Sequence, residues 1–243
     1  MSQYKAYKGH LIAKLWVPKA QEYGNVLRPR LRKNKRLKIL SLTSHDSFPE
    51  VSEFIQARLA VRADVFVWNY DYFKKMRLQS EGFNVLGVVA ARYEDTLTKS
   101  SNAVADYFTF GILNLDFASQ DPVTAEGSIE SEVESIEVTF RLQKERQTDS
   151  LQGFVLIYTT LIDDSNLNIT GLISRLNSYR VNGWAGLNSS LYPNDVPTAV
   201  GKVDVIRKLL EEIARKYNYS VLGYDCITSN DIHSLVLGVR SHA

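Results

Sequence analysis

The tetrapeptide Asn114-Leu115-Asp116-Phe117 ends the apolar run "FTFGILNLDF", and the polar "ASQD" follows it. An amide, a carboxylate and a ring this close together can accept hydrogen bonds from a substrate, take up a proton and stack on a planar group. The same Asn114 and Asp116 can instead cap a turn through their own backbone. Both readings stand at this point. Other chemistries lack their residues. His10, His45, His233 and His242 show no metal-ligand spacing with acids or with Cys226. Gly201-Lys202 continues with Val203, so no phosphate-cradling loop forms, and no Gly-x-Ser-x-Gly elbow occurs. Cys226 lies in an apolar strand pattern and is expected to be inert core. As the single cysteine, it excludes an intrachain disulfide framework and fits a reducing cytoplasm, the expected location. The first residues lack the apolar core of a secretory signal, and no apolar run is long enough to span a bilayer.

A second group of residues could bind a polyanion. The 243-residue chain has a net charge of only +2, yet Met1 to Lys38 holds eleven lysines and arginines against one acid, Glu22. The stretch "RPRLRKNKRLK" concentrates Arg28, Arg30, Arg32, Lys33, Lys35 and Arg36. Such a cluster attracts nucleic acid with a salt-sensitive affinity, or docks on acidic protein surface. Tyr4, Tyr7 and Trp16 lie among these cations and could stack on bases or anchor the segment to a core. Residues 1–36 are therefore read as a basic N-terminal arm and 37–243 as an α/β domain. The acidic stretch 126–137 is a candidate surface for a protein partner.

These residues need elements to position them. "LKILSLTS" suits a strand buried on both faces. In "SFPEVSEFIQARLA", Ser47 and Glu50 have capping-box spacing, and Pro49 sits in the first turn. "ADVFVWNYD", "FNVLGVVAA", "YFTFGILNLDF" and "GFVLIYTTLI" are further strands separated by helical patterns. "TAVGKVDVIRKLLEEIARKY" is an amphipathic helix. "YSVLGYDCITS" and "HSLVLGVRS" close the chain as an antiparallel hairpin. Alternating strands and helices imply an open, mostly parallel Rossmann-like sheet with helices on both faces and a C-terminal antiparallel hairpin.

This order, from Leu37 to Ala243, resembles the class I S-adenosylmethionine-dependent methyltransferases, whose sheet ends in such a hairpin. The resemblance implies a site at the carboxyl ends of the strands. It implies S-adenosylmethionine as cofactor, with Thr43, Ser44 and Asp46 after the first strand, Asp71 or Asn69 after the second, and Asp95 after the third. In the amino-methylating branch, the fourth strand ends in Asn or Asp, two prolines, and Tyr or Phe. Asn114 and Phe117 match the outer positions, while Leu115 and Asp116 replace the prolines; the resemblance makes Asn114, Asp116 and Phe117 the catalytic candidates. The first loop, "TSHDSFPE", has no glycine, and Arg92 stands where an acid or amide is usual.

Two functions follow. One is a nucleic-acid-binding methyltransferase that transfers a methyl group from S-adenosylmethionine to a base. The other is a methyltransferase-fold subunit without catalysis, binding nucleic acid or scaffolding a larger complex.

Overall fold

The computed structural model describes residues 2–27, 37–42, 49–68, 82–86, 93, 97, 102–119, 129–147, 152–162, 169–181, 199–229 and 232–242. Its centre is a seven-stranded sheet in the order β3-β2-β1-β4-β5-β7-β6. The strands are β1 (Ile39–Leu42), β2 (Val65–Trp68), β3 (Asn84–Leu86), β4 (Ile112–Asp116), β5 (Gly153–Leu161), β6 (Tyr219–Ser229) and β7 (Ile232–Ser241). β3, β2, β1, β4 and β5 are parallel, and β7 runs against both β5 and β6. The expected fold class is the observed one.

Strand alternation sorts the sheet into two apolar faces. Leu40, Leu42, Leu113, Leu115, Leu156, Tyr158, Leu235 and Leu237 point to one side. There they pack under the helices α4 (Ile129–Glu145), α5 (Ile169–Val181) and α6 (Ala199–Lys216). Ile39, Val65, Val67, Ile112, Val155, Ile157 and Val236 point to the other. That side is covered by α1 (Ser2–Leu11), a π-helical turn (Ile12–Trp16), α2 (Val17–Leu27) and α3 (Pro49–Gln56).

The segment expected to be an arm is thus core from α1 through α2. Leu11, Leu15, Trp16, Ala20, Tyr23 and Leu27 are buried. Trp16, Ala20, Tyr23 and Leu27 recur at helical spacing, a signal that the lysines between them obscure. The ring of Tyr23 lies across two glycines paired in register, Gly223 of β6 and Gly238 of β7. A Cβ on Gly238 would come within 2.7 Å of Tyr23 Cγ, so the close approach of α2 requires glycine there. The Tyr23 hydroxyl donates to Asp225 at 2.6 Å. Trp16 is the anchor of the two alternatives left open above: its indole Nε1 donates to Ser234 Oγ at 2.8 Å.

Candidate functional site at the β1 and β4 rim

Neighbouring parallel strands open a ligand crevice where their connections leave to opposite faces. That condition is met at β1 and β4, which pair from Ile39 with Ile112 to Ser41 with Asn114. From β1 the chain goes to α3, whose Val51 and Phe54 join the core containing the N-terminal helices. From β4 it goes to α4, whose Ile129, Val133, Ile136 and Phe140 join the opposite core.

Asp116, the last residue of β4, lies at this switch point and is fully buried. Its Oδ2 is 2.9 Å from Nζ of Lys8, on α1. The same ammonium is 3.2 Å from Oε2 of Glu50, in the first turn of α3. All three side chains are almost entirely withdrawn from water. One cation therefore serves two carboxylates, at the end of β4 and the start of α3. Burial opposes the charged form of Lys8, but Asp116 and Glu50 together outweigh it and raise its pKa above the ordinary lysine value. Burial raises the Glu50 pKa above the usual carboxylate range, with the Lys8 charge acting in the other direction.

A neutral polar layer continues from this cluster along the same face. Asn114 Nδ2 donates to Ser41 Oγ at 3.0 Å, while Asn114 Oδ1 is buried without a hydrogen-bond partner among the described residues. Thr159 and Ser234 share a 2.7 Å hydroxyl contact, joined by the Trp16 bond. The π-helical turn ends at Trp16, the residue that supplies this bond. Phe117 faces the other way. It packs against Tyr158 and Tyr93, and Tyr93 meets Trp68 edge-on at 5.3 Å. Trp68 ends β2 and is buried, and its indole Nε1 has no hydrogen-bond partner among the described residues.

The three catalytic candidates are therefore close along the chain but divided by the sheet. Asn114 and Asp116 lie under the N-terminal helices, and Phe117 lies in the aromatic cluster beneath the opposite helices. Each makes contacts inside the fold. Sequence reasoning missed Lys8, counted only as part of a basic head, and gave Glu50 a capping role; in the structure its carboxylate meets Lys8. No local pattern joins Lys8, Glu50 and Asp116, which only the tertiary fold brings together. The cofactor candidates Thr43, Ser44, Asp46, Asn69, Asp71 and Asp95 lie outside the described residues, as do Arg28, Arg30, Arg32, Lys33, Lys35 and Arg36.

The neighbours of that basic stretch are described. Leu27 packs against Gly153, the first residue of β5, and Leu37 against Gly111, just before β4. The two flanking residues, Leu27 and Leu37, thus lie at the amino edge of the sheet. From Gly111 to Asp116 is five residues of extended chain, about 17 Å, so this edge and the rim are at opposite ends of the strands.

Acidic residues expected to face a protein partner are partly engaged within the chain. Glu132 accepts from the Tyr158 hydroxyl at 2.6 Å, and Glu137 pairs with Arg175 and Lys216. Cys226 is exposed on β6, contrary to the expectation of inert core. Its side chain falls on the sheet's outer strand, which apolar sequence alone does not distinguish from an inner one. Among the described residues no group of three or more His, Cys, Asp or Glu could hold a metal ion. No described helix is long and apolar enough to cross a membrane.

The fold is Rossmann-like. Its one antiparallel strand, reached by the terminal hairpin, is the feature on which the methyltransferase resemblance rests. No family model and no curated protein matches the chain. Solved structures do. Magnesium protoporphyrin IX methyltransferase from Synechocystis PCC 6803, with bound SAH, is 10% identical at a TM-score of 0.39, over 93% of this chain and 84% of that one. A protein assigned as an rRNA methylase from Clostridium thermocellum is 7% identical at 0.41, over 83% and 88%. One assigned as a zinc-dependent alcohol dehydrogenase from Rhodobacter sphaeroides is 9% identical at 0.37, over 90% of each. Likenesses this distant, spanning two kinds of chemistry, carry no activity, substrate or cofactor across to this chain.

Proposed function

We propose that the protein is a methyltransferase-type domain that binds S-adenosylmethionine at the β1 and β4 rim. One observation carries this reading: the helices that follow β1 and β4 cover opposite faces of the sheet, and the Lys8–Asp116–Glu50 cluster lies at that switch point. The described residues fit the cofactor in one respect: Trp68, at the end of β2, offers an indole N–H with no hydrogen-bond partner among the described residues, which a nucleoside oxygen or nitrogen could accept. When bound, the cofactor would supply an electrophilic methyl group. Thr43, Ser44, Asp46, Asn69, Asp71 and Asp95 are the further residues proposed to hold it.

The contacts of Asn114, Asp116 and Phe117 favour a second reading, a domain of this fold that binds without transferring a methyl group. Each of the three is engaged in the core, so presenting a base to them would require rebuilding it. Nucleic acid is proposed to meet Arg28, Arg30, Arg32, Lys33, Lys35 and Arg36, whose described flanks Leu27 and Leu37 lie at the amino edge, away from the rim. That arrangement suits a binding or scaffolding subunit better than one delivering a base to Asn114.

Calorimetric titration of the full chain with S-adenosylmethionine tests the cofactor. Heat that is lost in an Asp71→Ala variant supports the first reading. No heat at millimolar ligand removes it and leaves the second.

A further inference from the structure

Among the described residues the sheet has one long open edge: β6 pairs with β7 alone, whereas the other edge strand, β3, is three residues long. Proteins usually blunt such an edge with lysine, proline or a covering element, because its free backbone groups are a template for another strand. The sequence of β6, "YSVLGYDCITS", contains neither lysine nor proline. Its one carboxylate, Asp225, is engaged from the domain's own side, by Lys19 at 3.1 Å and by the Tyr23 hydroxyl at 2.6 Å. A register shift between Val221 and Gly223 bends the start of the strand, and from Gly223 to Ser229 pairing with β7 is unbroken. Cys226 and Thr228 are exposed along this straight stretch.

We propose that Gly223–Ser229 pairs antiparallel with the same stretch of a second copy, about a two-fold axis at Cys226. A two-fold axis normal to the sheet keeps every side chain on its own face, so the axis must pass through a residue position. Placed at Asp225, it would set two carboxylates directly opposite, which is unfavourable. Placed at Ile227, it would run the ladder into the hairpin turn. At Cys226 the ladder extends from Gly223 to Ser229, with Asp225 facing Ile227 and Tyr224 facing Thr228. No like charges meet, and the absence of repulsion makes a second copy the fitting partner. A ladder alone buries less than the roughly 800 Å² per partner of a stable interface. α2 and α6 flank β6 on its two faces, through Tyr23 on Gly223 and Arg207 over Tyr224, and in the proposed dimer would add area beside the ladder.

The test is light scattering of the full chain at tens of micromolar, with mild thiol oxidation. Directly opposed residues in an antiparallel pair have Cα atoms about 4.5–5.5 Å apart, within reach of a disulfide. The expected mass is twice the 27.5 kDa of the chain, with a disulfide-linked dimer through Cys226 forming under native conditions but not in urea. Cys226→Ser should keep the doubled mass and lose the cross-link. Cys226→Lys, placing two ammonium groups opposite each other, should be monomeric with unchanged circular dichroism. A monomeric wild type, a dimer that survives Cys226→Lys, or a dimer that resists cross-linking overturns the proposal. None of these outcomes depends on cofactor binding.

Discussion

Replacing Lys8 with methionine keeps most of the side-chain shape and removes the one cation serving two buried carboxylates. At an effective dielectric of about 20, attraction at the Asp116 distance is of order 6 kcal/mol, and at the Glu50 distance of order 5 kcal/mol. The desolvation cost of the ammonium offsets much of this in the wild type. Removing one member of a buried ion pair nevertheless leaves its partner charged and unpaired, which costs about 3–5 kcal/mol. For a domain whose total stability is about 5–15 kcal/mol, that is a large fraction. The assay is urea denaturation of wild type and Lys8→Met from pH 4 to pH 8. Glu50, already held above the usual carboxylate range by burial, loses its opposing cation in the variant and rises further. A carboxyl raised in the folded state contributes stability below its unfolded value and loses it as pH rises through its folded value. The deficit of Lys8→Met should therefore be greatest near neutral pH and shrink toward pH 4. Adding Glu50→Gln and Asp116→Asn to Lys8→Met should recover part of the loss. A neutral-pH deficit under about 0.5 kcal/mol, or one that does not vary with pH, would refute the proposed energetics of the cluster.

Three further outcomes follow from other contacts. Gly238→Ala forces a methyl group against the Tyr23 ring and should cost about 1–3 kcal/mol by overpacking, less in a Tyr23→Ala background; thermal melts of the three variants check it. Trp16→Phe removes the donor to Ser234 within the core and should cost about 1–3 kcal/mol in urea denaturation, without loss of helical circular dichroism. For the basic stretch, replacing Arg30, Arg32, Lys33 and Lys35 with glutamine should weaken DNA or RNA binding and flatten its salt dependence. Unchanged affinity across a salt series would remove nucleic acid as a partner of that segment.

The sheet was legible because its signals are local and repeated. Runs such as "LKILSLTS" and "GFVLIYTTLI" could serve only as strands buried on both faces, and the order of elements then restricts the topology. The N-terminal helices were hidden by composition: Lys5, Lys8, Lys14 and Lys19 made the segment read as a charged arm, although Trp16, Ala20, Tyr23 and Leu27 carry helical periodicity. Asp116 was recognised as a residue of interest, but its partners were not. Lys8 and Glu50 come from two other elements, and pairing across such separations depends on which face each helix covers. Cys226 shows the converse limit, since an apolar strand sequence does not reveal whether the strand is central or outermost.

The claim that the β1 and β4 rim binds S-adenosylmethionine can be tested on the three tryptophans of the chain, Trp16, Trp68 and Trp184. Each gives one indole N–H resonance, assignable by single Trp→Phe substitutions. On titration with S-adenosylmethionine, the Trp68 resonance should shift as its partnerless donor meets the ligand. The Trp16 resonance, already bonded to Ser234, should stay in place. A Trp68 resonance that does not move at millimolar cofactor would contradict the account.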